Sequence, residues 1–512
     1  MPPHHSRETL RMPHHHRSTR WVQIATAVVS LLLPTAATMA AKPALQACRV
    51  EGIPNEVQCG TVQRPLDPAR PNGPQIDVHY LVVPAMARNK QPDAVLLLAG
   101  GPGQSAISVA PSVMSRLGRL NNRRDLVFID QRGTGQSAPL QCADESHLPI
   151  QEALDPAAQL KRLRQCKESL EKLPYGDLRF YTTTLAMQDF EAVRLQLGVT
   201  QWNLVGASYG TRAALEYQRQ FPGSVRRTVL DGVAPPDMVL PASFSVDGQA
   251  ALDALFAACE KDTQAGRGCA RRFPTLRQEW QSLLAGLPRT VTVNQPMTGI
   301  PETFKLTRSA VLQSVRAPLY APALAAALPA AIRAAAQGRY EGLLGLSGAL
   351  ASSKALRLAM GMHFSVVCTE DVPRLTTDTQ PVGADFGTSD ADLYRAVCSF
   401  WPRGAVDADF YQVPKAQTPV LLLSGGADPA TPPRHGARVA TALGAKAQHI
   451  VVPQAGHGVM SLGCMHDVVF RFITAATDAL ALPQDASCAV HIPRPDVFLP
   501  PIAPNTKAAG QP

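Results

Sequence analysis

"NLVGASYGTRAALEY", residues 203–217, joins an apolar run to a helical pattern through Gly-Ala-Ser-Tyr-Gly. Trp202 to Val205 reads as the end of a buried strand. Arg212 to Gln220 reads as a helix, with Ala213, Ala214 and Tyr217 at roughly helical spacing. Gly206 and Gly210 are what a very tight strand-to-helix turn needs, because a Cβ there would collide with neighbouring backbone. Gly206-Ala207-Ser208-Tyr209-Gly210 fits G-x-S-x-G, the pattern that pushes a serine hydroxyl out at the top of a sheet. The N-terminus of the following helix favours negative charge beside it. A surface loop rich in small residues is the competing reading. The strand before and the helix after favour the turn.

The same alternation extends on both sides. Ile76 to Val83 alternates like a strand, and Ala94 to Ala99 and Leu126 to Ile129 are continuous apolar runs. Thr183 to Leu197 reads as a helix, and Val225 to Leu230 as a strand ending at Asp231-Gly232. Strands alternating with helices imply an α/β protein, a mostly parallel sheet with helices on both faces. After Pro235-Pro236 the chain turns alanine-rich and helical, with Leu252, Leu255, Phe256 and Cys259 at i, i+3, i+4, i+7. Strand-like runs resume at Pro419 to Leu423 and Gln448 to Val452, and a helix is expected over 466–480. The organisation expected is a signal peptide over 1–40, the N-terminal part of the core over 41–239, a mainly helical cap over 240–365, the C-terminal part of the core over 366–490 and a proline-rich, extended tail over 491–512.

The 512 residues suffice for one large core plus an insertion. Net charge is +9, of which the first 40 residues contribute +3. No dense Lys/Arg run follows, which argues against nucleic-acid binding. Arg7, Arg11, Arg17 and Arg20 precede the apolar stretch Trp21 to Leu33, which is too short to span a bilayer. Small residues follow through Ala41. This is the pattern of a cleavable export signal, with cleavage near Ala40 and a periplasmic or secreted product. No later stretch is long and apolar enough for a membrane span. His4, His5, His14, His15 and His16 fall in the segment that would be removed, so no metal site is read from them.

Ten cysteines follow: Cys48, Cys59, Cys142, Cys166, Cys259, Cys269, Cys368, Cys398, Cys464 and Cys488. An even count in an exported chain points to disulfides. Sequence does not fix the connectivity; pairing neighbours in order closes five short loops and is the scheme expected. The absence of Cys-x-x-Cys speaks against zinc or thioredoxin-like chemistry.

A serine hydroxyl needs a base within reach, and the base needs an orienting acid. Ser208 follows one strand run. Asp428 follows another in "PVLLLSGGADPATPP" (419–433), and His457 a third in "QHIVVPQAGHGV" (448–459). The chain order is Ser, Asp, His. Asp231, also after a strand, competes as the acid; Asp428 is preferred because it lies in the last strand-loop before the histidine. Two oxyanion donors are expected, the backbone N–H of Tyr209 and that of Gly101 in "LLLAGGPGQSA" (96–106). A phosphate-binding loop is the rival reading of that segment, but no Gly-Lys-Ser/Thr follows. In "VFIDQRGTGQSAPL" (127–140), Asp130 and Arg132 are expected to form an ion pair and turn under the site.

Together "GGPGQS", "DQRGTGQS", "GASYGT", "GGADPATP" and "GHG" give a chain that resembles the prolyl and tripeptidyl aminopeptidase group of α/β-hydrolases, the serine peptidase family containing proline iminopeptidase. Exported members with a TAP-like C-terminal region match best, over roughly 48–490. The resemblance implies an α/β-hydrolase fold with a helical cap, removal of residues from the free N-termini of short peptides, no cofactor, and Ser208, Asp428 and His457 as nucleophile, acid and base. One departure is Ala99, where many prolyl members carry histidine, which weakens strict proline specificity. Such an enzyme must recognise an α-ammonium group. "VVCTEDVP" (366–373) offers Glu370 first and Asp371 second for that task; a solvated acidic turn beside a disulfide is the equally weighted alternative. Ser208 argues against hydrolases that use an aspartate nucleophile. A carboxylesterase-like hydrolase and a non-catalytic binding protein on the same scaffold are the competing functions.

Overall fold

The computed structural model describes residues 45–145, 148–264, 268–295, 298–351, 357–376 and 382–499. The expected signal peptide and the last part of the tail lie outside these residues. The central sheet is built from β1 (Gln46–Cys48), β2 (Val57–Pro65), β3 (Gln75–Val83), β4 (Ala94–Leu98), β5 (Leu126–Ile129), β6 (Trp202–Ala207), β7 (Val225–Asp231), β10 (Val420–Gly425) and β11 (Ala447–Val452). A hairpin outside it supplies β8 (Arg289–Asn294) and β9 (Pro301–Leu306). The sheet order is β1-β2-β3-β5-β4-β6-β7-β10-β11. Pairing is antiparallel from β1 to β5 and parallel from there to β11.

Side-chain alternation explains why both faces are covered. Along β4, Leu96 and Leu98 join an apolar layer that includes Phe190 and Ala214, while Val95 and Leu97 join one that includes Ala110 and Val469. Helices Thr183–Leu197 and Tyr209–Gln220 therefore lie on one face, and helices Ala106–Leu117 and Met465–Thr474 on the other. The continuous apolar runs in the sequence are strands buried on both sides. The helix expected over 466–480 stops at Thr474, and a separate short turn of helix covers Asp478–Ala481. Arginines of β7 explain the stop: Arg227 donates to the carbonyls of Phe472, Ile473 and Thr477, and Arg226 to those of Ile473 and Ala475. Side-chain donors replace the next helical turn.

The segment after β7 builds its own apolar cluster from helices Leu240–Lys261, Leu276–Ala285, Arg308–Leu319 and Leu328–Ala336. It also contains the antiparallel β8–β9 hairpin, which the helical reading of 240–365 did not anticipate. "RTVTVN" alternates strictly: Val291 and Val293 point inward, while Thr292 pairs outward with Thr303 at 2.8 Å. The C-terminal segment crosses back to this layer, where Phe498 N–H donates to Ala326 O at 2.9 Å and Val497 and Leu499 pack on the cluster.

Five disulfides join Cys48 to Cys59, Cys142 to Cys166, Cys259 to Cys269, Cys368 to Cys398 and Cys464 to Cys488. Asp130 and Arg132 do not pair with each other. The Asp130 carboxylate accepts from Ser105 Oγ at 2.6 Å and from Ile107 N–H at 3.1 Å, so it pins the start of helix Ala106–Leu117. Arg132 forms a buried fork with Asp189 at 2.7 and 2.8 Å and donates to the carbonyls of Leu66 and Phe180. Asp189 is fully buried, and Arg64, 3.2 Å away, is its other ionic partner. Arg132→Ala should lower unfolding stability by about 3–5 kcal/mol, because it strips a buried carboxylate of its fork. Urea denaturation of the variant against the parent measures this; a loss under about 1 kcal/mol would contradict it.

Candidate active site

The turn after β6 is held under constraint from three directions. Ser208 adopts φ 57°, ψ −125°, a conformation that typically costs a non-glycine residue about 1–3 kcal/mol. Its N–H donates to Asp231 O at 2.9 Å, and its carbonyl accepts from Thr211 N–H at 2.9 Å and Thr211 Oγ1 at 2.6 Å. Both flanking glycines are obligatory. A Cβ on Gly206 would lie 2.4 Å from Gly210 O, and one on Gly210 would lie 2.2 Å from Leu98 O. The helix Tyr209–Gln220 can thus begin directly over the strand ends, with Ser208 half-buried at its start.

Two loops, after β10 and β11, bring Asp428 and His457 together against the end of β7. Asp428, after β10, is buried. Its Oδ1 accepts from the N–H groups of Ala430 and Thr431 at 2.8 and 2.9 Å. Its Oδ2 lies 2.8 Å from His457 Nδ1, and Thr431 Oγ1 donates to the same oxygen at 2.8 Å. Thr431 Oγ1 is also 3.1 Å from His457 Nδ1, so it closes a three-membered cluster. Burial alone would raise the Asp428 pKa, but the His457 ring and these hydrogen bonds outweigh it and hold the carboxyl below its ordinary value. For His457, burial acts downward; the charge and hydrogen bond of Asp428 overcome it and raise the ring above 6.5. A Cβ on Gly232 would lie 3.1 Å from His457 Cε1, which puts the ring against the end of β7, one residue past the carbonyl that holds Ser208. Tyr320, at the end of helix Arg308–Leu319, accepts from His457 N–H at 2.9 Å and sets its ring edge-on to the imidazole at 5.1 Å.

The competing acid occupies a different place. Asp231 is buried and accepts from Val459 N–H through both oxygens at 2.9 Å and from Met460 N–H at 2.8 Å. It holds the loop behind the histidine rather than the ring. Burial pushes its pKa up to about 6 against these bonds.

The Gly-Gly-Pro-Gly loop runs beside Ser208. A Cβ on Gly100 would come within 3.2 Å of Ser208 Cβ, and Gly100 N–H donates to Gln104 Oε1 at 3.1 Å. Gly101, the next residue, has φ 110°. The loop is braced from the helix Met360–Glu370. Ala359 N–H donates to Gly103 O at 2.8 Å. His363 is buried, with Nδ1 3.0 Å from Pro102 O and Nε2 2.7 Å from the Tyr394 hydroxyl. Burial lowers the His363 pKa, consistent with one neutral tautomer that donates to Pro102 and accepts from Tyr394. Among the described residues, no three His, Cys, Asp or Glu side chains converge as a metal site would require.

A serine on a strained strand-to-helix turn, beside a histidine oriented by a buried carboxylate, is the equipment of acyl transfer. The alpha/beta hydrolase fold family matches residues 93–259, and the TAP-like protein family matches residues 384–488. This chain has the α/β-hydrolase fold and is a serine hydrolase. It is 28% identical over 481 residues to tripeptidyl aminopeptidase of Streptomyces coelicolor, covering 86% of this chain and 85% of that one. It is 26% identical over 473 residues to serine protease Hip1 of Mycobacterium tuberculosis, covering 85% and 88%. Carboxylesterase B of the same organism is 26% identical over 418 residues, covering 76% and 78%. The chain therefore resembles the tripeptidyl aminopeptidase group over most of its length.

In this hydrolase, Glu370 and Asp371 do not stand where an ammonium reader must. Both are buried. Asp371 is forked to Arg212 at 3.0 and 3.1 Å and accepts from Leu240 N–H at 3.1 Å. Glu370 Oε1 accepts from Thr183 N–H at 2.7 Å, and Oε2 from Thr183 Oγ1 at 2.9 Å. The expected solvated or substrate-facing carboxylates are instead internal braces, because Arg212 supplies a buried positive charge that draws them inward. Thr431, Tyr320 and His363 were not singled out from the sequence. Thr431 carried a usable signal, three residues after Asp428 in "DPAT". A tyrosine and a histidine within helical runs carried none.

Asp231→Asn should destabilise the fold by about 1–3 kcal/mol, since an amide nitrogen must then face a buried N–H. Thermal unfolding of the variant tests this. An unchanged melting temperature would show that the loop behind His457 does not depend on those three bonds.

Proposed function

We propose that this hydrolase is an exported exopeptidase, an aminopeptidase of the tripeptidyl or prolyl type, acting near the free N-termini of short peptides through an acyl-enzyme. The observation that supports the chemistry is the 2.8 Å contact of His457 Nδ1 with Asp428 Oδ2, with the imidazole against Gly232, one residue past the carbonyl that accepts from Ser208 N–H. In this reading Ser208 Oγ attacks the scissile carbonyl and His457 Nε2 takes its proton. Asp428 keeps Nδ1 protonated and stabilises the imidazolium. The N–H groups of Tyr209 and Gly101 donate to the carbonyl oxygen as negative charge develops on it. His457 then protonates the leaving amine, and water repeats the sequence on the ester.

The exopeptidase part is supported by the resemblance to the Streptomyces tripeptidyl aminopeptidase and by a helical layer, proposed as a cap over 240–365, whose Tyr320 touches His457. Export is supported by the basic-then-apolar N-terminal segment and by five disulfides, which persist in oxidising compartments. Among the described residues no helix is long and apolar enough to cross a membrane. A carboxylesterase-like activity is the second reading. It is favoured by the withdrawal of Glu370 and Asp371 into the interior, which leaves the ammonium without the partner expected for it.

The deciding experiment is a panel of aminoacyl and tripeptidyl anilides, each with a free and an acetylated amine, beside simple p-nitrophenyl esters. A strong preference for the free amine is expected. Equal cleavage of both forms would replace the aminopeptidase reading with the esterase one. Ser208→Ala should abolish turnover of every substrate with the fold intact. Asp428→Asn should lower kcat by about 10⁴-fold. kcat/KM should fall on acidification through a pKa above 6.5, because His457 must be neutral to accept the proton and Asp428 raises it. An acid limb below 6.5 in a buffer series would count against the His457–Asp428 couple.

A further inference from the structure

A buried hydrogen-bond chain runs directly beneath the start of the elbow helix. Gln131 Nε2 donates to the Tyr209 hydroxyl at 3.0 Å, the Tyr209 hydroxyl lies 2.6 Å from Thr183 Oγ1, and Thr183 Oγ1 lies 2.9 Å from Glu370 Oε2. Tyr209 is the residue whose N–H follows Ser208. We propose that Glu370 is a positioning residue that orients this N–H by setting the direction of the chain through Thr183 and the Tyr209 side chain. The proposal rests on the reading of Ser208 as nucleophile.

Donor bookkeeping gives the direction. Glu370 Oε1 faces the Thr183 N–H and can only accept. With the carboxyl ionised, Oε2 also accepts, so the Thr183 hydroxyl points at Glu370. The Tyr209 hydroxyl then donates to Thr183 and accepts from Gln131, and both hydroxyl hydrogens have partners. A proton on Glu370 has only Oε2 to occupy. It would donate to Thr183 Oγ1, turn the threonine hydroxyl toward Tyr209, and leave the buried phenol hydrogen facing two donors. An unpaired buried donor is costly, and the side chain must shift to relieve it. Tyr209 begins the elbow helix, so such a shift is passed to its backbone N–H.

The surroundings keep the two states within reach of each other. Arg212 Nη1 lies 3.7 Å from Glu370 Oε2 and favours the ionised form, while the adjacent Asp371 opposes it and is itself forked to Arg212. The Tyr411 hydroxyl donates to the Glu370 carbonyl at 3.0 Å, and Arg374 packs on the Tyr411 ring. Burial is the largest influence on Glu370, and the balance pushes it up to about 7. The ionised form, which the chain requires for the active direction, is therefore lost as pH falls through neutrality.

The test uses the rate of covalent labelling by a fluorophosphonate, which reads nucleophile and oxyanion donors without knowledge of the natural substrate. Glu370→Gln places an amide N–H at the Oε2 position and fixes the reversed direction. Its maximal labelling rate should drop about 5- to 20-fold, with half-saturation within twofold of the parent. The parent should show a second acid limb near pH 7, which the variant lacks. Tyr209→Phe removes the phenol, so Glu370→Gln should cause no further loss in that background, whereas a merely structural loss would add. Thr183→Val should reproduce the loss of the second limb, and Thr183→Ser should retain it. If Glu370→Gln fails to fold, the two threonine variants carry the test alone. A parental rate and pH slope in Thr183→Val, or additive losses in the double variant, would overturn the proposal. Labelling that survives in Ser208→Ala would instead overturn the reading of Ser208 on which the proposal rests.

Discussion

A single buried guanidinium ties the halves of this site together. Arg212 projects from the elbow helix, one turn past Ser208. It forks onto Asp371 at the end of the helix Met360–Glu370 and donates to Met238 O at 2.8 Å, where the chain leaves the sheet. Asp371 in turn accepts the N–H of Leu240, the first residue of the next helix. The exit of the chain from the core, its return, and the helix that carries the serine turn are thus fixed to one charge. A buried ion pair gains little over a well-packed apolar contact, but it tolerates almost no displacement, since an unpaired buried carboxylate costs several kcal/mol. It serves as a registration device. The helix it fixes also holds the Gly-Gly-Pro-Gly loop through Ala359 and His363, so both proposed oxyanion donors share one support.

The parts that were legible in the sequence are those set by local chemistry. Gly206 and Gly210 are demanded by backbone contacts of about 2 Å, and only glycine satisfies them. Parallel strands buried on both faces must be continuous apolar runs, which made β4 and β5 visible. Asp428 and His457 were legible because short loops end the last two strands, and loops of a parallel sheet meet at one edge. What stayed hidden depends on distant partners. Glu370 and Asp371 look like an exposed acidic turn until Arg212, 159 residues earlier, is placed against them. The hairpin of β8 and β9 was masked by the alanine-rich helices around it, although the alternation in "RTVTVN" is a strand signal in its own right. Asp130 and Arg132 do not pair because the chain turns after β5: residues two apart would share a face in a strand, but the turn aims one toward Ser105 and the other toward Asp189.

Strain and support also divide along the chain. Ser208 keeps an unfavourable backbone conformation because the Asp231 carbonyl and Thr211 hold both of its peptide groups. Asp231 also fixes the loop behind His457 through its side chain, so one residue of β7 sets the height of two proposed catalytic groups, its backbone serving the serine and its carboxylate the histidine. The identity of that residue is therefore constrained even though it touches neither reacting atom.

The Cys368–Cys398 bridge gives the arrangement a history. Cys368 lies on the helix Met360–Glu370, between the histidine that braces the glycine loop and the glutamate under the elbow, and the bridge fastens that helix to Ser389–Cys398. Where thiols are kept reduced, this covalent fastening is absent, and the His363–Tyr394 hydrogen bond is left to join the two helices. Oxidation during or after transit across a membrane would form the bridge. If the chain is exported, as proposed, the redox chemistry of its destination would complete the fastening of the helix that supports both the glycine loop and the elbow.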